Sequence, residues 1–219
     1  MKRSIGWLVI LVSVGLMPQT TTAQKPASPV LQALEEEMKR AMTVLGKQGN
    51  PGPYFMGYEV NETATVDIQA SQGALQSSDR DKVRVLDVEV RVGNYDFDNT
   101  HQIRGGNGGG GGQVRPRTVL MPIDDDVDAL KSVIWLATDQ QFKTGSQRLT
   151  SVKANRAVNV AEEDTSADLS RETAQKAVLP LKNFDVNISD WEKKTKEYSA
   201  LFGKYPDVLE GNASFTSNA

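Results

Sequence analysis

The chain has 219 residues, 25 basic against 28 acidic for a net charge of −3, a single histidine and no cysteine. These counts exclude disulfides, a cysteine nucleophile, a cysteine-built zinc site and a zinc site made from two histidines on one helix. The charge is mixed and slightly acidic with no basic stripe, which argues against a nucleic-acid-binding surface.

Lys2 and Arg3 precede an apolar run from Ile5 to Leu16, and the small residues Thr21, Thr22 and Ala23 follow a polar stretch. Basic, then apolar, then small is the order of a cleavable secretory signal. The run is short of the roughly 20 residues that cross a bilayer. The reading is a signal peptide over 1–23, cut between Ala23 and Gln24, with the mature chain in a periplasm or the extracellular space. The competing reading is a retained N-terminal anchor. No second long apolar run follows, so no membrane association is expected after cleavage.

Residues 24–28 read as a linker. Ser28 and Pro29 suit the start of a helix, one as a cap and the other in the first turn. Val30, Leu31, Leu34, Met38, Ala41, Met42 and Leu45 then recur at helical spacing, with Glu35, Glu36, Glu37, Lys39 and Arg40 on the other face. Gly46 is the expected stop. This stripe is expected to pack on a sheet, since Met and Ala dilute any membrane-inserting character.

Asn50 to Pro53 reads as a turn, Tyr54 to Asn61 and Ala64 to Ala70 as strands, and Gly73 to Gln76 as a shorter one. Val83 to Val92 is the strongest strand pattern. Val83 and Val85 share one phase and Leu86, Val88, Val90 and Val92 the other, which predicts a bulge near Val85 and Leu86. Gly93 to Arg104 reads as a loop, and the glycines of 105–112 as a flexible one. Val119 to Ile123 suggests one more strand. Asp124 to Asp126 then opens a second helix, from Val127 to about Asn155. Residues 157–187 read as a polar linker or arm. In 188–219, Ser189 to Glu192 has the pattern of a capping box. A short helix and the start of an incomplete strand from Val208 follow.

The search for chemistry is largely negative. His101 stands alone beside the glycine run. No Gly-x-Ser-x-Gly elbow is present. Gly106 to Gly111 fits a dinucleotide pattern but is followed by Gln113 to Arg117 with Pro116, so it opens no helix to bind phosphate. Asp96 with Asp98, and Asp124 to Asp126 with Asp128, lack the ordered spacing of a calcium loop. No catalytic, cofactor-binding or metal-binding residue is assigned. The candidate functional loop comprises Asn94, Asp96, Asp98, Asn99 and His101.

Three segments are more distinctive. They are Val88 to Thr100, Pro122 to Leu130 with Ile134 to Asp139, and Pro53-Tyr54-Phe55 together with the Val30 to Leu34 helix. Their order and spacing resemble the N-terminal domain of exported TldD/PmbA-type metallopeptidases, from about Pro29 to the end of the chain. The resemblance implies an α/β unit, dimers enclosing a substrate cavity, and a zinc site only in a second domain bearing His-Glu-x-x-x-His. No such motif occurs in this chain, so no catalytic residue is carried over. The segment Phe215 to Ala219 falls about where the family's second domain begins, which implies a truncated product, a fragment or a free-standing half.

The expected architecture is α+β or α/β. One antiparallel sheet carries the two long helices, in a domain over 29–156 that resembles the TldD/PmbA N-terminal domain, and a short C-terminal helix follows. The expected function is a non-catalytic domain that shapes a peptide-binding cavity and contacts a partner or catalytic half, as a homo- or heterodimer with a TldD/PmbA-like subunit. The alternative is a stand-alone exported binding module. No nucleic-acid partner is expected.

Overall fold

The computed structural model describes residues 28–103, 116–158, 166–179 and 183–219. The expected signal peptide with Ala23 and Gln24, and the glycine run of 105–112, lie outside the described residues. The elements are α1 (Pro29–Gln48), β1 (Pro53–Ser71), β2 (Ala74–Val92), β3 (Arg117–Met121), α2 (Val127–Val158), α3 (Ile188–Ala200), a 3-10 turn (Leu201–Lys204) and β4 (Asn212–Asn218). The four strands form one antiparallel sheet in the order β3-β2-β1-β4, with helices packed on it. This is the α+β fold expected from the sequence.

The frame is the β1–β2 hairpin. Its two strands are 19 residues each and pair nearly end to end. In a strand, alternate side chains share a face. The even-numbered set, Met56, Val66, Ile68 and Ala70 on β1 and Leu86, Val88, Val90 and Val92 on β2, is buried. Near the open end of the hairpin this face is covered by Ala33, Ala41 and Leu45 of α1 and by Leu130, Ile134, Ala137 and Leu149 of α2. Each large aliphatic group so buried contributes roughly 1.5–3 kcal/mol relative to exposure. Toward the turn, α3 covers the same face. Trp191 stacks on Phe215 with centroids 3.8 Å apart, and Phe215 pairs with Ile68.

Several local expectations are corrected. Tyr54–Asn61 and Ala64–Ala70 are one strand, because Glu62 between them is not a break. It sits on the inner face and binds Arg84 at 2.7 Å and Lys82 at 2.8 Å. No bulge lies near Val85 and Leu86, where Asn61↔Val85 and Val60↔Leu86 are in continuous register. Arg84 takes the inner position there instead, and Val83 and Val85 point outward throughout. The register shifts fall at Pro53/Phe55 and Gln69/Ala70. Gly73 to Gln76 is not a separate strand. Gln72 and Gly73, with φ of 50° and 83°, form the hairpin turn, and β2 starts at Ala74.

Ser28 makes no side-chain cap, and α1 runs past Gly46 to Gln48. Glu37 lies on the buried stripe rather than the outer face, held by Arg40 at 2.6 Å. The cap of α3 is Asn187, whose side chain accepts the Asp190 N–H, rather than a box starting at Ser189. The strand start read from Val208 is the seven-residue β4, paired along its whole length with β1.

Candidate functional site

The candidate loop follows β2. Gly93 has φ of 129°, and a Cβ there would lie 2.6 Å from the Phe97 carbonyl oxygen. Only glycine allows that backbone approach, which lets Gly93 bridge Asp98. Asn94 Oδ1 accepts the N–H groups of Asp96 at 2.9 Å and Phe97 at 3.0 Å, closing an Asx turn. Asn99 then extends the ladder of β2. Its N–H donates to the Val92 carbonyl at 3.0 Å, and its Oδ1 accepts the Val92 N–H at 2.6 Å. Its own carbonyl accepts Arg148 Nε of α2 at 2.8 Å.

Asp98 is fully buried. It accepts the Tyr54 hydroxyl at 2.5 Å, the Thr100 hydroxyl at 2.7 Å and Arg91 Nη1 at 3.3 Å, as well as the Thr100 N–H. Burial and the adjacent Asp98 carboxylate raise the Tyr54 pKa well above the ordinary phenol value. Burial alone would lower the Arg91 pKa, but Glu89 at 2.6 Å and Asp98 outweigh it and raise it.

A distant segment completes the network. Asp168 Oδ2 accepts the Asp98 N–H at 2.7 Å, and its Oδ1 lies 2.7 Å from His101 Nδ1. Its carbonyl accepts Arg91 Nη1 at 3.1 Å, and the Leu169 N–H donates to the Tyr95 carbonyl at 3.1 Å. Arg171 lies over the Tyr95 ring at 4.7 Å.

The five loop residues therefore do not converge on one site. Asp98, Asn99 and His101 turn inward into the network, while Asn94 and Asp96 face solvent. Four donors converge on the Asp98 carboxylate, and the arrangement acts as a structural clasp. Among the described residues, no group of three His, Asp or Glu side chains is placed to hold a metal ion. Sequence reasoning missed Tyr54, Arg91, Thr100 and Asp168 as members. Arg91 was legible as a charge inside an apolar strand. Asp168, some seventy positions beyond Asp98, carries no local signal.

A second feature lies at the other end. Tyr198, Leu201, Phe202, Tyr205 and Leu209 are exposed, Leu209 at 90% and Tyr205 at 63%. Phe202 lies against Gly211, next to the start of β4, which is an edge strand among the described residues. Ala64 and Ala219 exchange both backbone hydrogen bonds, so the alternating pattern turns the backbone groups of Asn212, Ser214, Thr216 and Asn218 away from β1. Among the described residues, no helix is long and apolar enough to cross a membrane. Comparison of the chain with protein-family models, with curated proteins and with solved structures finds no match.

Proposed function

We propose that this chain is a non-catalytic, exported domain of TldD/PmbA type, which binds a partner or catalytic half and helps shape its peptide cavity. The observation that carries the binding part is the run of exposed apolar side chains from Tyr198 to Leu209, which leads into β4 with its outward backbone groups. Contiguous exposed apolar side chains mark interaction surfaces, and an open edge strand offers unpaired N–H and C=O groups to a second chain. The partner class comes from the resemblance of the Val88 to Thr100 and Pro122 to Asp139 segments. Zinc belongs, in this reading, to the partner half.

The test mixes the chain lacking residues 1–23 with a zinc-bearing TldD/PmbA-type subunit and measures mass by light scattering. A stoichiometric complex, lost in a Tyr205→Ser, Leu209→Asp variant whose circular dichroism is unchanged, supports the reading. No complex at micromolar concentration sinks it. Genomic sequence beyond codon 219 gives a second check, since a His-Glu-x-x-x-His motif there supports the pairing with a catalytic half. Mass spectrometry of the secreted product tests the export part, with a first residue of Gln24 expected.

A further inference from the structure

The sequence of β2 alternates in sign as well as in hydropathy. Asp79, Asp81, Asp87 and Glu89 have odd numbers, whereas Arg80, Lys82 and Arg84 have even ones. Strand geometry sends the two sets to opposite faces. The bases go to the helix-bearing face and find partners there. Lys82 and Arg84 bind Glu62, Arg84 also binds Asp125 at 2.9 Å, and Arg80 lies over the Phe184 ring at 5.9 Å. The acids go to the outer face, on which no helix packs among the described residues.

The neighbouring strand adds to the imbalance. Glu59 of β1 stands directly opposite Asp87, and Asp67 directly opposite Asp79. Like charges facing across a ladder destabilise a sheet. The local relief is neutral: Asn61 donates to Glu59, Gln69 and Thr216 to Asp67, and Thr118 to Asp87. Hydrogen bonds from Thr216 and Gln69 hold the Asp67 pKa below its ordinary value, so it stays charged at neutral pH. The one cation on this face of the hairpin, Arg91, is taken up by Glu89 and Asp98. Between the acidic pairs runs an apolar tract. Val83, 42% exposed, and Val85 lie on this face, and Leu120 of β3, paired with Val85, is 72% exposed.

We propose that the outer face of the β1–β2 hairpin docks a Lys- or Arg-bearing segment of a partner protein. An aliphatic anchor of that segment rests on Val83, Val85 and Leu120, and its cations meet the Glu59/Asp87 and Asp67/Asp79 pairs. An apolar centre with a charged rim is the anatomy of a protein interface. The excess of one sign selects the opposite sign in the partner. Cations placed between facing carboxylates also remove the repulsion that the free domain carries. This surface lies across the sheet from α3, and the inference does not rest on the C-terminal patch or on a TldD/PmbA partner.

The experiment uses fluorescence anisotropy with a labelled peptide that alternates Lys and Ser around a central Leu, and a counterpart with Glu at each Lys. The Lys peptide is expected to bind and the Glu peptide not to. Raising NaCl from about 50 to about 300 mM should weaken binding roughly tenfold, as screening shortens the reach of the face. The Glu59→Gln, Asp79→Asn, Asp87→Asn variant should lose about tenfold in affinity, while Asp207→Asn, Glu210→Gln, in the exposed loop before β4 and outside the hairpin, should lose none. The face variant should also melt no lower than the native protein, because it removes both like-charge pairs. Absence of binding by the Lys peptide, equal loss in the two variants, a lower melting temperature of the face variant, or calcium ions displacing the peptide at equal ionic strength would each overturn the proposal.

Discussion

Asp98 shows how a single side chain can be fixed by what surrounds it. A buried carboxylate is tolerable only when donors satisfy it, and Tyr54, Arg91 and Thr100 do so together. Asp98→Ala leaves the Tyr54 hydroxyl and the Thr100 N–H and hydroxyl without their acceptor, and leaves Glu89 as the one carboxylate on Arg91. Urea unfolding should show a loss of about 2 to 4 kcal/mol from these unsatisfied donors, and a loss below about 1 kcal/mol would mean that the clasp does not hold the loop. Tyr58 gives a pH signature. Burial pushes its pKa up to about 12, although its bond to the Thr138 hydroxyl, at 2.7 Å, works against the shift. A raised folded pKa favours the protonated form in the native state. The corresponding stability is whole below the unfolded tyrosine value of about 10 and is lost as pH rises through the folded one. Between about pH 10 and 12 the native protein should therefore lose stability faster than Tyr58→Phe, and equal slopes in alkaline unfolding would refute this.

At the scale of elements, what the sequence disclosed and what it hid have physical reasons. The helical stripes of α1 and α2 and the apolar alternation of Leu86 to Val92 were legible, since each repeats over several turns or pleats. The continuity of β1 was not, because Glu62 interrupts the apolar pattern and its partners Lys82 and Arg84 are twenty or more positions away. The phase change at Val83 to Leu86 suggested a bulge for the same reason, as Arg84 takes an inner position that local reasoning reserves for an aliphatic. The turn was also disguised. Gln72 occupies a positive-φ position that Asn or Gly fills more easily. Gln72→Asn should stabilise the domain by about 0.5 kcal/mol, seen as a raised urea midpoint with unchanged slope, and a lowered midpoint would count against the turn geometry. Of the candidate site, the loop residues were legible as a group, but their inward orientation depends on Asp168 and was not.

Across the whole molecule, local and distant pairings divide the sheet. The β1–β2 hairpin closes through a two-residue turn, whereas Thr216 reaches Asp67 across 149 positions. Loop-closure entropy makes long-range pairing costlier than local pairing, and the α3–β4 end buries fewer large side chains than the α1–α2 end. Native-state hydrogen exchange should therefore find the amides of Ala213, Phe215 and Ser217, which face β1, opening before those of Val85 and Asp87, which face β1 from the other side. Simultaneous exchange of both sets would show a single cooperative unit. The clasp around Asp98 has a related consequence. Because it ties residues 168 and 169 back to the end of β2, the backbone between α2 and α3 is divided into two separately anchored stretches. A protease nick in the exposed residues 171–178 would leave both ends held, one by Asp168 and the other by Trp191 on Phe215. The cut chain would then travel as one particle on a sizing column and separate only in denaturant.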